Sequence, residues 1–177
     1  MSITVKRTQS IRKLAAKLQE DNGKFFVIGI KKGDKELAQI MRWLEYGWTQ
    51  TVTPNQANYF RGTWGIPLSV GGTLHLPPRP FFRQTIAENK AKWKRELAKA
   101  YKETKSANKA LEIVAKIARE DIRESIRNGG TKGGSFAPLS EATKKIYQKE
   151  GKPIDRLFGE RAEDMAQMID YEIGKRR

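Results

Sequence analysis

Prolines crowd one stretch of this chain, "LHLPPRPFFRQTIAENK" at residues 74–90, and they limit what it can form. Proline fixes the backbone angle φ and lacks an N–H donor, so this stretch cannot lie inside a helix or a central strand. A polyproline ligand for another protein would need exposed, flexible flanks, whereas helix-forming sequence follows here directly. The sequence therefore predicts a stiff elbow that directs a helix. The residues of the elbow are Pro77, Pro78, Arg79, Pro80, Phe81 and Phe82.

Hydrophobic periodicity on both sides of the elbow predicts an α+β fold. "FFVIGI" at 25–30 and "MIDYEIG" at 168–174 have the pattern of strands, as does the stretch just before the prolines. Apolar residues at helical spacing predict a helix near 37–44 and two long helices, at about 82–105 and about 107–127. We expect the three strands to share one small antiparallel sheet, with the first long helix packed across it.

Three further segments complete what we expect to be a single domain spanning residues 1–177. Residues 1–20 have the pattern of a basic surface helix. Residues 48–75 predict a long, extended, aromatic-rich loop or hairpin with a short helical turn at "PNQANYF". Residues 128–140 are rich in glycine and predict a flexible loop. Loops as long as the second segment are uncommon and are often functional.

The aromatic-rich segment also supplies the candidate interface residues. Aromatic side chains and arginine are enriched where proteins meet, and the glycines and polar residues of this segment cannot bury its rings locally. The candidates are Trp48, Tyr59, Phe60, Arg61 and Trp64. The alternative is that these rings fold back over the sheet as a lid.

Patterns of catalytic or metal-binding residues are scarce. The chain has one histidine, His75, and no cysteine, so neither a zinc site nor a Ser-His-Asp triad is expected. The glycines at 129–135 do not have the spacing of a phosphate-binding loop. A loose group of acidic residues could bind Mg²⁺ or could balance nearby Lys and Arg, and we favour the second interpretation. These residues are Glu160, Glu163, Asp164 and Asp170. We therefore expect no enzyme activity, no metal and no cofactor.

The charge of the chain is strongly positive, with 35 Lys and Arg against 20 Asp and Glu and a net charge of +15. Such an excess favours nucleic acid, an anionic surface or an acidic protein as partner. In residues 90–127, however, twelve Lys or Arg are interleaved with six Asp or Glu, which is typical of solvated helix rather than of a dense phosphate-binding arm. No apolar run is long enough for a membrane helix, so we expect no membrane partner.

Four segments resemble one known family, in the same order along the chain. "IPLSVGGTLHLPPRPFFRQTIAENKAKW" is similar to the Pro-Arg-Pro-Phe segment of tailed-bacteriophage neck and tail-completion proteins, also known as virion morphogenesis or head-tail joining proteins. "LAQIMRWLEYGW" resembles the family's helix that ends in an acidic residue, an aromatic and Gly. "ALEIVAKIAREDIRESIRNG" with "FAPLSEATKKIYQKEGKPID" resembles its helix and Pro-Leu-Ser run, and "MAQMIDYEIG" resembles its closing strand.

The resemblance implies a structural virion protein without enzyme activity. Such a protein would form a homo-oligomeric ring, expected to be hexameric, that joins the tail to the head connector. Its partners would be the connector and the tail-tube or terminator proteins, with a contact to passing DNA. It would be located in the neck or tail of the virion, and in the host cytoplasm during assembly. The alternative, from charge and aromatic content, is a basic nucleic-acid-binding protein.

Overall fold

The computed structural model describes residues 21, 23–31, 33–155 and 157–175. The predicted basic helix of residues 1–20 lies outside this part of the chain. Within the described residues, helices and two-stranded antiparallel sheets form an α+β fold, as the sequence predicts. No helix of this part combines the length and the apolar character needed to cross a membrane.

The strands and helices follow one another in a mixed order. The strands are β1 (Lys24–Ile30), β2 (Trp48–Thr51), β3 (Thr73–Leu76), β4 (Gly130–Thr131), β5 (Gly134–Ser135) and β6 (Ile169–Lys175). The α-helices are α1 (Lys35–Tyr46), α2 (Pro54–Tyr59), α3 (Phe81–Thr104), α4 (Ala107–Arg127), α5 (Glu141–Lys149) and α6 (Ala162–Gln167). A π-helical turn (Phe60–Trp64) continues α2, and a 3₁₀ turn (Gly159–Arg161) precedes α6.

The two long helices, α3 and α4, pack against each other as a helical hairpin. Lys105 ends α3 in the left-handed region, with φ of 53°, and α4 begins at Ala107. Asp121 of α4 joins the helices, because its carboxylate accepts hydrogen bonds from Trp93 Nε1 at 2.6 Å and from Lys92 Nζ at 2.7 Å. The predicted apolar stripe of α4 is buried apart from half-buried Ile117, and comprises Leu111, Val114, Ala118, Ile122 and Ile126.

The three predicted strands exist, but they do not share one sheet. β1 pairs with β6 in an antiparallel register that runs from Lys24↔Lys175 to Ile30↔Ile169. β3 pairs instead with β2, at the other end of the segment predicted as a loop or hairpin. β2 and β3 are the two ends of one connected segment, so their pairing closes a shorter loop than a pairing of β3 with β1 would. The prediction of a single sheet is therefore wrong.

The helix that covers the β1–β6 sheet is α4, not α3 as predicted. Phe26 and Ile28, which alternate along β1, pack against a cluster of Trp93, Val114 and Ala118. Trp93 belongs to α3, so α3 contacts the sheet through this tryptophan, whereas α4 lies along both strands. The physical reason is that α4 has the more continuous apolar stripe, whereas much of α3 is charged.

Residues 48–75, predicted as a loop or hairpin, form a hairpin, and the segment predicted as a flexible loop, 128–140, also contains strands. Residues 48–76, which we call the aromatic hairpin, hold β2 and β3, and the predicted helical turn is α2. Residues 128–140 contain the β4–β5 hairpin. Glu88 of α3 holds the β4–β5 turn, because its carboxylate accepts hydrogen bonds from Thr131 Oγ1 at 2.7 Å and from Gly133 N at 3.3 Å.

Candidate functional site

Helix α1 ends against the proline elbow. The carbonyl oxygen of Leu44, in the last turn of α1, accepts a hydrogen bond from Arg79 N at 2.6 Å. Gly47 then reverses the chain with φ of +76°, a backbone conformation that favours glycine. A Cβ at this position would lie 3.0 Å from Leu76 O and 3.1 Å from Pro78, so glycine is also required by space. The end of α1 and the elbow therefore touch without room for a side chain.

Glu45 of α1 caps the start of α3. Its side chain is buried, with 4% exposed, and its two carboxylate oxygens accept from Phe82 N at 2.9 Å and Arg83 N at 3.1 Å. Arg83 also donates from Nε to the same carboxylate at 3.0 Å. A carboxylate bound to backbone N–H groups at a helix N-terminus is stabilised by the helix dipole as well as by the hydrogen bonds. A residue of one helix thus satisfies the first turn of another.

Pro80 makes the turn into α3. Its φ of −79° and ψ of 64° are those of an inverse γ-turn, and Phe81 N correspondingly donates to Arg79 O at 2.8 Å. Gln84 N donates to Pro80 O at 2.9 Å. With the two bonds to Glu45, all four backbone N–H groups that open α3 therefore have an acceptor. The elbow needs no side-chain cap of its own because proline and a distant carboxylate replace it.

Arg79 lies inside the protein, with 4% of its surface exposed. It donates from Nε to Ala137 O at 2.9 Å and from Nη2 to Pro138 O at 3.2 Å. Burial lowers the pKa of the Arg79 guanidinium, because desolvation disfavours its charge. The arginine of the elbow is therefore a structural clamp on the segment before α5 and is not accessible to a partner.

Phe81 anchors α3 in the main hydrophobic core, where it is fully buried. Its ring packs edge to face against Phe158 at 6.0 Å, and Phe158 packs against Phe136 at 6.1 Å. Phe82 is half-buried, with its ring centroid 5.1 Å from that of Phe81. We call Glu45, Gly47, Arg79, Pro80 and Phe81 the elbow junction.

The structure divides the five candidate interface residues into an inward and an outward group. Trp48 and Phe60 are half-buried and line one cleft of about 360 Å³ between the aromatic hairpin and α5. Trp64 is also half-buried, and Lys149 of α5 lies 5.9 Å from the centre of its ring. Tyr59, with 57% exposed, and Arg61 lie at the surface. The inward group thus lies against α5, and the outward group is exposed.

Two of the four acidic residues near the C-terminus, Glu163 and Asp170, have arginine partners, whereas Glu160 and Asp164 are exposed. Glu163 accepts two hydrogen bonds from Arg127, at 2.9 and 3.1 Å, and these bonds lower the pKa of Glu163. Asp170 accepts from Tyr171 N at 2.9 Å and from Arg119 at 3.4 Å, which lowers its pKa as well. Among the described residues, no group of His, Cys, Asp or Glu could hold a metal ion. These carboxylates join α4 to α6 and β6.

The glycine-rich hairpin and His75 have ordinary structural contacts. A polar cleft of about 290 Å³ lies beside the β4–β5 hairpin, and its lining includes the carboxylates of Asp121 and Glu124, which repel phosphate. The hydrogen bond from Thr131, with those from Gln84 and Gly133 N, lowers the pKa of Glu88. His75 is exposed on β3, where Nδ1 and Thr49 Oγ1 share a hydrogen bond of 3.2 Å.

Glu45 is the central residue that has no predicted role, although two features of the sequence point to it. It lies in the last turn of α1, where the helix dipole disfavours a negative charge. Helix α3 has no acidic residue in its first turn and follows a proline that cannot cap it with a side chain. Each anomaly compensates the other, because the misplaced carboxylate of one helix supplies the missing cap of the next.

Replacing Glu45 by Ala should destabilise the protein by about 2–3 kcal/mol, since two backbone N–H groups in the first turn of α3 lose a charged acceptor. Glu45→Gln should recover part of this loss, because the amide oxygen can still accept one hydrogen bond. Glu36→Ala is the matched control, since the Glu36 side chain lies in the same helix and is 81% exposed. Thermal and urea unfolding measure all three variants. The cap assignment is wrong if Glu45→Ala and Glu36→Ala unfold alike.

No protein-family model matches this chain, and no curated protein or solved structure shows significant similarity to it.

Proposed function

We propose that this chain is a structural subunit of a tailed-phage neck or tail-completion ring and has no enzyme activity. The observation that supports this function is that segments carrying the resemblance meet at the elbow junction. Glu45 and Gly47 come from "RWLEYG", Arg79 comes from "LPPRPFF", and its acceptors Ala137 and Pro138 come from "FAPLS". These contacts join the segments that carry the resemblance into one structural unit.

A ring subunit needs a rigid body and a surface that engages its neighbours. The elbow junction supplies rigidity, because it joins α1, α3 and the segment before α5 through buried hydrogen bonds. The aromatic hairpin supplies the surface, since its outward residues include Tyr59, Arg61 and Val70, which is 60% exposed. Gly47 and Pro78 join the two parts. In this proposal the hairpin contacts the next subunit or the tail tube.

The hairpin proposal predicts different effects for its outward and inward residues. Replacing Tyr59 and Arg61 together by Ser should leave the melting temperature almost unchanged but reduce incorporation into virions by about tenfold or more, as loss of interface anchors does. Replacing Phe60 and Trp64 by Ser should instead lower the stability of the isolated chain by about 2–4 kcal/mol, because both rings are half-buried. Lys35→Ser with Lys145→Ser, both exposed elsewhere, is the control.

Deletion of the gene in the phage tests the function as a whole. If the proposal is correct, electron microscopy should show filled heads and finished tails that are not joined, and the wild-type gene supplied separately should restore joining. Complete, infectious particles without this chain would reject the proposed function. If virions form normally with the Tyr59 and Arg61 variant but not with the deletion, the hairpin assignment fails while the assembly function stands.

A further inference from the structure

Many cations of the two long helices already have a carboxylate partner. On α4, Arg119 pairs with Asp170, Arg127 with Glu163 and Lys116 with Glu112, at distances of 2.8 to 3.4 Å. On α3, Arg83 pairs with Glu45 and Lys92 with Asp121. The interleaved charges of the sequence are thus largely neutralised on α4. The positive excess of this part of the chain is left on α3.

The cations that remain exposed on α3 form two stripes, one with Lys90 and Lys94 and one with the other three. Lys90, Lys94, Arg95, Lys99 and Lys102 are exposed, and none of them makes an ion pair with another described residue. Arg95, Lys99 and Lys102 lie on one side of the helix, at positions i, i+4 and i+7. We call this side the basic face. From Arg95 to Lys102, the basic face extends about 10 Å along the helix axis. Half-buried Glu96 and exposed Glu103 lie at one side of the basic face, beside Lys99, and do not separate its three cations.

The composition of the basic face favours phosphate over a protein partner. The large apolar side chains of this stretch, Trp93, Leu97 and Tyr101, are buried or half-buried against the rest of the fold. Protein interfaces have aromatic and apolar anchors at their centre, and the exposed residues between these cations include alanines instead. A row of Lys and Arg without anchors is typical of a surface that binds a charged backbone without reading its sequence.

We propose that the basic face of α3 binds the phosphate backbone of double-stranded DNA. The three cations of this face can contact about three phosphates of the duplex. Binding releases the counterions of those phosphates, and it is therefore independent of base sequence and steeply dependent on salt. This surface lies on α3 and shares no residue with the aromatic hairpin. The proposal does not rest on a role in virion assembly.

The test compares two triple variants that remove the same charge. The first replaces Arg95, Lys99 and Lys102 by Gln, and the control replaces Lys31, Lys35 and Lys145, which are exposed on other elements. Fluorescence anisotropy of a labelled mixed-sequence duplex of about 25 base pairs, at about 50–200 mM salt, gives affinity and salt dependence. The basic-face variant should bind at least about tenfold more weakly than the control, and its salt slope should fall by about 0.9 per lost contact.

Two results would overturn the proposal. Equal losses in both triple variants would show that net charge alone, and not this face, attracts DNA. Displacement of the labelled duplex by poly-aspartate more readily than by unlabelled DNA of equal charge would indicate an acidic protein as partner. Circular dichroism of each variant checks that the fold is intact. Because the assay uses the isolated chain, its outcome is independent of whether virions assemble with or without the protein.

Discussion

Deleting residues 168–177 should abolish the cooperative thermal unfolding of this protein. The deletion removes β6 and two buried side chains, Met168 and Ile169, each of which contributes about 1.5–3 kcal/mol by burial. It also leaves β1 without its partner along its entire length, and a lone strand is not stable. Domains of this size are stable by about 5–15 kcal/mol, so the combined loss approaches the total. Circular dichroism during heating measures the transition.

The matched control deletes residues 176 and 177 alone. These two arginines follow β6, so their removal changes the charge of the chain but leaves every position of the β1–β6 ladder in place. The control should therefore melt like the full-length protein. Ile169→Ala is an intermediate case, and it should cost about 2–5 kcal/mol because the Ile169 side chain is fully buried. A long deletion that melts like the control would contradict the role assigned to β6.

Local periodicity was sufficient to predict the α+β class and the existence of α1, α3, α4, β1 and β6. Each of these elements buries one face, and burial of one face produces a period that a single sequence displays. The stripe of α4 is the clearest case, because Ile122 and Ile126 are fully buried as their spacing predicts. The short helical turn predicted at "PNQANYF" is α2, which Thr53 and Gln56 reinforce with a capping box.

The partners of these elements could not be predicted, because they depend on contacts between distant residues. Each strand of the predicted three-stranded sheet presents an apolar face, and nothing local shows that β3 pairs with β2 while α4 covers the other sheet. The burial of the candidate interface residues could not be predicted for the same reason. Lys149 Nζ donates to Thr63 O at 2.7 Å across 86 positions, so the burial of the neighbouring Trp64 is decided by α5, a separate part of the chain.

The elbow has one feature that the sequence predicts, its turn into a helix, and one that it does not, the burial of Arg79. Three prolines correctly predicted a turn into a helix, since proline restricts the backbone whatever surrounds it. The role of Arg79 was not predictable, because its acceptors, Ala137 O and Pro138 O, lie 58 and 59 positions away. An arginine between prolines would be equally compatible with an exposed binding residue. Its burial follows from the path of the segment before α5, which packs over the elbow.

Replacing Arg79 by Ala should lower the stability of the protein by about 3 kcal/mol, which corresponds to about 6–12 °C in melting temperature. Two carbonyl oxygens lose their charged donor, and the missing side chain, which is itself buried, leaves a cavity. Arg79→Lys should recover part of the loss, because an ammonium group can bind one carbonyl oxygen but cannot reproduce the fork that binds two. Arg42→Ala, on the exposed side of α1, is the control and should change stability by less than about 0.5 kcal/mol. Urea unfolding with intrinsic tryptophan fluorescence measures the series. If Arg79→Lys is as stable as the wild type, the positive charge and not the two-carbonyl clamp is what the elbow junction requires.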